Sequence, residues 1–556
     1  MSRIISLLSI IIFGYSCVAA NIHTDRSSTD PIPEFKTERP KLVVGIVVDQ
    51  MRYDYLTRFE EKYSKGGFMR LIGGGFNCKN AHFNYIPTYT GPGHASVYSG
   101  TTPRYHGIIS NNWYDKTANS FVYCAEDQSV TSVGTPTDAG KMSPHRMISS
   151  TVTDENRLFT QMRGKTIGIS IKDRGAVLPA GHTANAAYWF QGANEGNFIS
   201  STYYMEELPR WVTRFNNSKA VENYLKTWNT LYDINTYSES GDDMNAFEWG
   251  YDGKEAPTFP YELDKLAQFN GNFDILKTSP YGNSIVTDFS IEALKNEDLG
   301  KDSDTDFLAI SYSSTDYIGH NFGVNSKEVQ DVYLRLDLEI EKLLNTLDKE
   351  VGEGNYTVFL TSDHGAVNVP NYLKSVGIPA GLIDGDMVKN KFLTFLEDEF
   401  GSTKVVANAS NNQMFLDRTE LKRLKLDLDE VCGKIVDELI TYDHIDKAFA
   451  SKTINNGSFT EGIELLLKNG YNQKRSGEVI VVNNPAFISY SETGSTHGSG
   501  LNYDTHVPML FYGSGVKAGE SVQYVRIVDL APTISALLGI SFPNAATGKP
   551  LEFVLD

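Results

Sequence analysis

Carboxylate and imidazole side chains follow several apolar runs of this sequence, at positions that suit a metal centre. Carboxylates and imidazoles are the ligand types that proteins use for divalent zinc. The residues concerned are Asp49, Asp316, His320, Asp363 and His364, with His497 shortly before a last apolar run. The set predicts a zinc site if the fold brings its members together.

Each of these residues is weak evidence alone. A lone Asp after a strand is often a helix cap, and Asp316 and His320 share a face only if their segment is helical. The ends of parallel strands, however, meet at one edge of a sheet, and ligands bind there. The whole set is therefore a stronger signal than any member. Three further histidines near it in sequence are interpreted as packing or supporting groups: His94, His182 and His506.

The segment Thr90–Ser96 (TGPGHAS) supplies a candidate nucleophile. Its glycines let the backbone approach a ligand, and the start of a helix offers free N–H groups to an anion. A threonine hydroxyl needs activation to attack at neutral pH, and a divalent metal lowers the pKa of an oxygen bound to it. Thr90 is the predicted nucleophile. The alternatives are that Thr90 is a simple N-cap, or that Thr88 takes its place.

Two cations and an amide complete the predicted site. Lys172 and Arg174 follow the apolar run Thr166–Ser170, and at a strand end the two side chains can grip one anion. Asn111 is a neutral donor nearby in sequence, and spacing alone does not exclude Asn112.

The apolar runs themselves predict the fold. Continuous rather than alternating hydrophobicity is typical of parallel strands covered on both faces, and amphipathic stretches such as 326–347 lie between the runs. The sequence thus predicts an α/β fold with a mostly parallel central sheet flanked by helices. The predicted strands are Leu42–Val48, Thr166–Ser170, Phe307–Ile310, Tyr356–Leu360 and Pro508–Phe511.

Two segments break this alternation, at about 183–290 and 385–485, and are interpreted as insertions that form a cap. The first contains four of the five tryptophans, and its aromatic residues are expected to form a small core of their own. The second is charged, with a helix predicted at 421–440.

Composition excludes several classes of protein. The chain has 556 residues, of which 40% are hydrophobic, so it can bury a large core and is neither disordered nor fibrous. Its net charge of −19 argues against a nucleic-acid partner. Of the cysteines beyond residue 20, Cys78 and Cys124 are the nearer pair for a disulfide.

The N-terminal residues predict export. Arg3, the apolar run 4–13 and small residues before Asn21 are typical of a signal peptide over 1–20. A flexible leader over 21–40 and a catalytic domain over 41–556 follow. We expect a periplasmic or secreted monomer without a membrane span; lipid attachment at Cys17, giving an outer-surface lipoprotein, is the alternative.

Motifs along the whole chain after the leader resemble the alkaline phosphatase superfamily, and within it the PafA-type phosphate monoesterases. In chain order they read VVDQM, TYTGPGH, KDR, STDYIGHN, SDHG and TH, with DLAPTI near the C-terminus. The metal motifs specify the superfamily, and the Lys172/Arg174 pair specifies the subgroup. The sulfatase branch is unlike this chain, because neither Cys78 nor Cys124 lies in a Cys-x-Pro-x-Arg setting.

The resemblance implies a function and a set of roles. Asp316, His320 and His497 would bind one Zn²⁺, whereas Asp49, Asp363, His364 and the Thr90 hydroxyl would bind a second. Thr90 would be phosphorylated transiently by a phosphate monoester, while Asn111, Lys172 and Arg174 hold the phosphoryl oxygens. Two other functions remain open: a phosphodiesterase of the same superfamily, and a non-catalytic exported ligand-binding protein.

Overall fold

A computed structural model describes residues 39–193 and 195–556. The signal peptide, Cys17 and nearly all of the predicted leader lie outside the described residues. Among those residues, no helix is both long and apolar enough to cross a membrane.

A ten-stranded mixed sheet forms the centre of the fold. Its strands are β1 (Leu42–Val48), β2 (Phe76–Cys78), β3 (Ser132–Val133), β4 (Thr166–Ser170), β5 (Ala186–Gln191), β6 (Asn197–Ser201), β7 (Asp306–Tyr312), β8 (Tyr356–Thr361), β9 (Met509–Gly513) and β10 (Gly519–Ser521). Their order across the sheet is β10-β2-β9-β8-β1-β7-β4-β5-β6-β3. The five strands from β8 to β5 run parallel to one another.

Helices surround this sheet. Those of eight residues or more are α1 (Thr90–Ser99), α2 (Val152–Phe159), α3 (Asp173–Ala180), α4 (Arg210–Asn217), α5 (Pro280–Asn296), α6 (Ser314–Phe322), α7 (Lys327–Glu350), α8 (Gly385–Phe400), α9 (Leu428–Leu439), α10 (Gly462–Gly470) and α11 (Leu530–Leu538). The predicted α/β class is confirmed.

Strand β1 fixes where the functional residues lie. It is buried along its whole length and pairs in parallel with β7 on one side and β8 on the other. Val48 is in register with Tyr312, and Val47 with Thr361. The chain therefore leaves β1, β7 and β8 at the same edge of the sheet, and β4 ends beside β7.

The last predicted strand differs in direction. β9 runs antiparallel to β8 and to β2, so the sheet is mixed on this side. A strand covered on both faces has the same apolar pattern in either direction, which is why the sequence did not reveal this.

The first insertion is shorter than the sequence suggested. β5 and β6, at 186–201, belong to the central sheet. Trp211 and Trp228 are buried in the main core together with residues of β1 and α7, so the aromatic residues do not form a separate small core. Trp249 is 61% exposed.

The second insertion does have a core of its own. Its four strands form an antiparallel sheet in the order Val406–Ser410, Gln413–Leu416, Val479–Asn483 and Ile445–Ala450. The single helix predicted over 421–440 is in fact two, Arg418–Leu424 and α9. Lys425 ends the first with a φ of 58°, and the Asp427 side chain caps the start of the second.

The three described cysteines are free and buried. Cys78 and Cys124 belong to different hydrophobic clusters of the described chain and form no disulfide. Burial raises the pKa of each of these two thiols to about 12, so they behave as apolar packing groups.

Candidate active site

The six predicted ligands meet at the carboxyl edge of the parallel strands. Asp49 follows β1, Asp363 and His364 follow β8, and Asp316 and His320 lie one turn apart on α6 directly after β7. The Asp49 backbone N–H donates to the Tyr312 carbonyl at 2.9 Å, which continues the sheet ladder up to the ligand. His497 approaches from the loop before β9.

The ligand atoms form two adjoining groups. One ligand atom each of Asp316, His320 and His497 lie within 4.8 Å of one another, and so do those of Asp49, Asp316 and His364. Asp316 belongs to both groups. The first group matches the set that the resemblance implies; in the second, Asp316 stands where Asp363 was expected. The Asp363 Oδ2 atom still lies beside this group, at 3.5 Å from His364 Nε2.

All three histidines turn the same nitrogen toward the carboxylates. The Nδ1 atoms of His320, His364 and His497 lie 2.7–3.0 Å from the carbonyls of Ser495, Gly365 and Thr88 respectively. A carbonyl can only accept, so each Nδ1 carries a proton and each Nε2 is left to face the carboxylates. This is the arrangement that metal-binding histidines use.

The carboxylates are short of donors. Within the described part of the chain, Asp49 Oδ1 and Asp363 Oδ2 are buried without a hydrogen-bond partner. Two orphaned carboxylate oxygens beside three imidazole Nε2 atoms fit divalent metal ions, because carboxylate oxygens and imidazole nitrogens are ligands of such cations.

Thr90 lies beside this cluster at the first position of α1. It is 1% exposed, and its Oγ1 is 3.5 Å from His364 Nε2. The N-cap of α1 is Tyr89, and the Thr90 side chain makes no capping bond, so the N-cap alternative is wrong. The Thr88 hydroxyl instead donates to the Ser499 carbonyl at 2.8 Å, and the Thr88 carbonyl holds His497.

Asn111, one of the residues predicted to bind an anion, contacts the start of α1 next to Thr90. Asn111 Oδ1 accepts from the Gly91 backbone N–H at 2.7 Å, which ties Asn111 to the start of α1. Asn112 is exposed and begins a strand, so Asn111 is the relevant residue of the two.

Lys172 and Arg174 flank the start of α3 and both line a cleft of about 160 Å³. Lys172 Nζ lies 2.7 Å from Asp49 Oδ2 and 2.5 Å from Asp316 Oδ2, between the two ligand groups. Arg174 donates to the Tyr123 hydroxyl at 3.1 Å, and its Nε has no partner in the residues described. Lys172 therefore lies within the ligand cluster, and Arg174 lies in the adjoining cleft.

Comparison with known proteins identifies the family of this chain. Residues 43–507 match the family model described as type I phosphodiesterase / nucleotide pyrophosphatase. The chain belongs to this family, which is part of the alkaline phosphatase superfamily.

Two relatives named as alkaline phosphatases cover nearly the whole chain. PafA from Elizabethkingia meningoseptica is 43% identical over 93% of this chain and 95% of its own length. PhoV from Synechococcus elongatus is 42% identical over 99% of this chain and 100% of its own length. The crystal structure of wild-type PafA superposes with a TM-score of 0.90, covering 93% of this chain and 99% of that one.

In this member of the phosphodiesterase family, burial and neighbouring charges shift the pKa values of the predicted ligands in different directions. Burial raises the pKa of Asp49 well above its usual range, and the charges of Asp316 and Asp363 add to the effect. Burial acts on Asp316 too, but the charges of His320 and Lys172 outweigh it and hold its pKa well below the usual range. Burial lowers the pKa of His364 and of His497, so both rings are neutral and free to bind a cation.

Gln50 is a site residue that sequence reasoning missed. Its side-chain amide donates to Asp316 Oδ1 at 2.7 Å, and its backbone N–H donates to Asp363 Oδ1 at 3.1 Å. It bridges the two halves of the cluster from a backbone φ of 65°, which non-glycine residues rarely adopt. The only signal was its position directly after Asp49.

His94 supports the ligands, as expected from the sequence. Its Nδ1 lies 2.9 Å from the Thr90 carbonyl and 3.3 Å from Asp363 Oδ2, and its Nε2 contacts the Ser311 hydroxyl. His182 and His506 contact the backbone carbonyls of Ser149 and Lys79.

Proposed function

We propose that this chain hydrolyses phosphate monoesters through a phosphothreonine formed at Thr90, at a site that holds two zinc ions. One observation carries the proposal: a buried threonine whose side chain makes no capping bond lies beside two groups of nitrogen and oxygen ligands, and Lys172 lies between those groups. Relatives named as alkaline phosphatases over nearly the full chain support a phosphate-monoester hydrolase.

The ligand chemistry favours zinc. Asp316, His320 and His497 would hold one ion, and Asp49, His364, Asp363 and the Thr90 hydroxyl a second. Mixed imidazole and carboxylate sets suit Zn²⁺ better than Mg²⁺ or Ca²⁺, which prefer oxygen alone. When bound, two such ions stabilise negative charge on the attacking and departing oxygens of an in-line displacement.

The first step belongs to Thr90. Its hydroxyl gives up its proton to solvent, and its Oγ bonds to phosphorus while the bond from phosphorus to the ester oxygen breaks. The departing oxygen takes up a proton from solvent and leaves as the alcohol. Lys172, Arg174 and the N–H groups at the start of α1 hold the three non-bridging oxygens, on which charge is spread in the transition state. Asn111 joins them: its Oδ1 accepts from the Gly91 N–H, so its Nδ2 is the group that would donate to a phosphoryl oxygen.

In the second step, water attacks phosphorus from the side that the alcohol left. The bond between phosphorus and Thr90 Oγ breaks, the threonine hydroxyl is regenerated and inorganic phosphate is released. The same cations hold the same oxygens, because the two displacements are mirror images about phosphorus.

The family model also carries the name phosphodiesterase, so a diester substrate is the competing function. A monoester brings two negative charges and rewards a cationic pair, whereas a diester brings one charge and needs room for a second group. The deciding experiment compares kcat/KM for p-nitrophenyl phosphate and bis-p-nitrophenyl phosphate, before and after chelation and zinc add-back. A monoester preference that returns with zinc is the expected result; a diester preference would refute the proposal.

Export belongs to the same proposal. The first 20 residues would be removed during secretion, leaving a periplasmic or released monomer, or one tethered at Cys17. Cell fractionation with N-terminal sequencing and mass determination of the mature chain would distinguish these states, and a retained, cytoplasmic N-terminus would contradict export.

A further inference from the structure

Two buried glutamates lie outside the active site, and one of them lines a second cavity. Glu248 is in the first insertion and is 7% exposed, and Glu328 is in the first turn of α7 and is fully buried. Glu248 lines a cavity of about 340 Å³, whose wall also includes the polar residues Ser240, Asp242, Asn245, Asn325 and Ser326. Nothing in the proposed phosphatase reaction uses these groups.

Each glutamate has one satisfied oxygen and one orphaned oxygen. Asn245 donates to Glu248 Oε1 at 2.6 Å, and the Tyr261 hydroxyl donates to Glu328 Oε1 at 2.5 Å. In the described ranges, Oε2 of both glutamates is buried without any hydrogen-bond partner. A buried carboxylate oxygen without a donor is costly, so two of them together indicate a partner that the protein chain does not supply.

Burial and the surrounding carboxylates disfavour the ionised form of both glutamates when no cation is bound. Burial and the charge of Glu328 raise the pKa of Glu248 to about 10, and Asp243 adds a further negative charge. Burial likewise raises the pKa of Glu328 to about 8. Lys327 opposes these charges, but its ammonium group donates to the Tyr237 carbonyl at 3.0 Å. Arg335 is bound to Asp331 at 2.7 Å.

We propose that Glu248 and Glu328 bind a calcium ion at the wall of this cavity. Every side-chain atom that the site would offer to a metal ion is an oxygen. Zn²⁺ prefers nitrogen or sulfur among its ligands, whereas a site of oxygens alone suits a hard cation. Ca²⁺ tolerates irregular coordination and fills it with carbonyl oxygens, hydroxyls and water, for which the cavity has room, whereas Mg²⁺ demands near-ideal octahedral geometry. The ion would give both orphaned oxygens a partner at once.

The ion would stabilise the segments around His320. The Trp249 N–H donates to the Asn321 carbonyl at 2.8 Å, and the Gly494 N–H donates to the Phe247 carbonyl at 2.9 Å. Phe247 and Trp249 are the neighbours of Glu248, so a cation held there fixes the backbone next to one of the active-site ligands. The calcium site itself does not depend on what reaction the active site performs.

The test is a calcium titration of the zinc-loaded full chain in metal-free buffer, followed by its Tm. Since a ligand that binds only the folded state stabilises it, about 5 mM CaCl₂ should raise the Tm by roughly 2–4 °C. The same rise is expected for Glu255→Gln, which removes an exposed charge of the same loop region. Glu248→Gln and Glu328→Gln should lose it.

Two results would overturn the proposal. An equal rise in all four proteins means that calcium binds elsewhere. No rise in the wild type, with a higher Tm for Glu248→Gln, means that the glutamates share a proton instead. If neither glutamine variant folds, calorimetry of the wild type in two buffers of different ionisation enthalpy decides: calcium should bind at one site per chain with proton release, and binding without proton release contradicts the proposal.

Discussion

Single residues in this site are held by contacts that leave their reactive atoms free. The Thr90 hydroxyl makes no capping bond. The three predicted histidine ligands bond to backbone carbonyls through Nδ1 alone. In the described chain, Asp49 has an oxygen without a hydrogen-bond donor. Polar atoms that the fold buries and leaves unpaired are costly, so their concentration at one point indicates binding rather than stability.

Replacing the proposed nucleophile should abolish turnover without emptying the metal site. Thr90→Ala removes the only atom to which phosphorus bonds in the first step, so kcat/KM should fall by at least about a thousandfold. Zinc content, measured by mass spectrometry, should stay near that of the wild type. Thr88→Ala is the matched control, because its backbone carbonyl still holds His497; a larger loss from Thr88→Ala would reverse the assignment.

Lys172 should discriminate between substrate classes. Its ammonium lies between Asp49 and Asp316 and would face the extra charge of a monoester. Lys172→Ala should therefore lower kcat/KM for p-nitrophenyl phosphate at least about tenfold more than for its diester analogue. Equal losses for both substrates would mean that Lys172 acts only on the carboxylates.

At the scale of strands and helices, the site follows from register. β1, β7, β8 and β4 are parallel neighbours, so residues that follow them in the sequence meet at one edge. This much was predictable, because the sequence shows the apolar runs and the carboxylate and imidazole residues that follow them. The direction of β9, the sheet pairing of 186–201 and the left-handed conformation of Gln50 were not, since they depend on partners elsewhere in the chain.

Gly319 on α6 is required by Gln50. A Cβ atom at position 319 would lie 1.9 Å from Gln50 Oε1 and would displace the side chain that holds Asp316. Gly319→Ala should weaken zinc binding about 10- to 100-fold, the usual effect of removing a support behind a ligand. Competition with a fluorescent chelator measures this affinity.

A double-mutant cycle isolates the cause. In a Gln50→Ala background the methyl group at 319 has nothing to displace, so Gly319→Ala should have no further effect on zinc affinity. Additive losses would show that the methyl group disturbs α6 itself.

At the scale of the whole molecule, stability should depend on His106, which is fully buried. Its Nδ1 accepts from the Ile108 N–H at 3.1 Å, and burial lowers its pKa to about 3. The unfolded chain takes up this proton near pH 6.5, so the contribution of His106 is complete above that pH and is lost as the pH falls toward 3.

The substitution His106→Gln tests this linkage. Between about pH 8 and pH 5, the free energy of unfolding should fall by about 2 kcal/mol less in the variant than in the wild type, because no imidazole is left to protonate on unfolding. Tm values of the metal-free proteins at the two pH values measure the difference. Identical acid sensitivity would exclude His106 as a source.

The topology has a consequence for biosynthesis. Strand β1 emerges from the ribosome early, but the Gln50 amide that bridges the cluster needs Asp316 and Asp363, and His497 follows near the end of the chain. Contacts of such long sequence separation form slowly and late. A nascent chain therefore carries several hundred residues before the side chains of the site can meet, and a chain that ends before residue 497 lacks one of them.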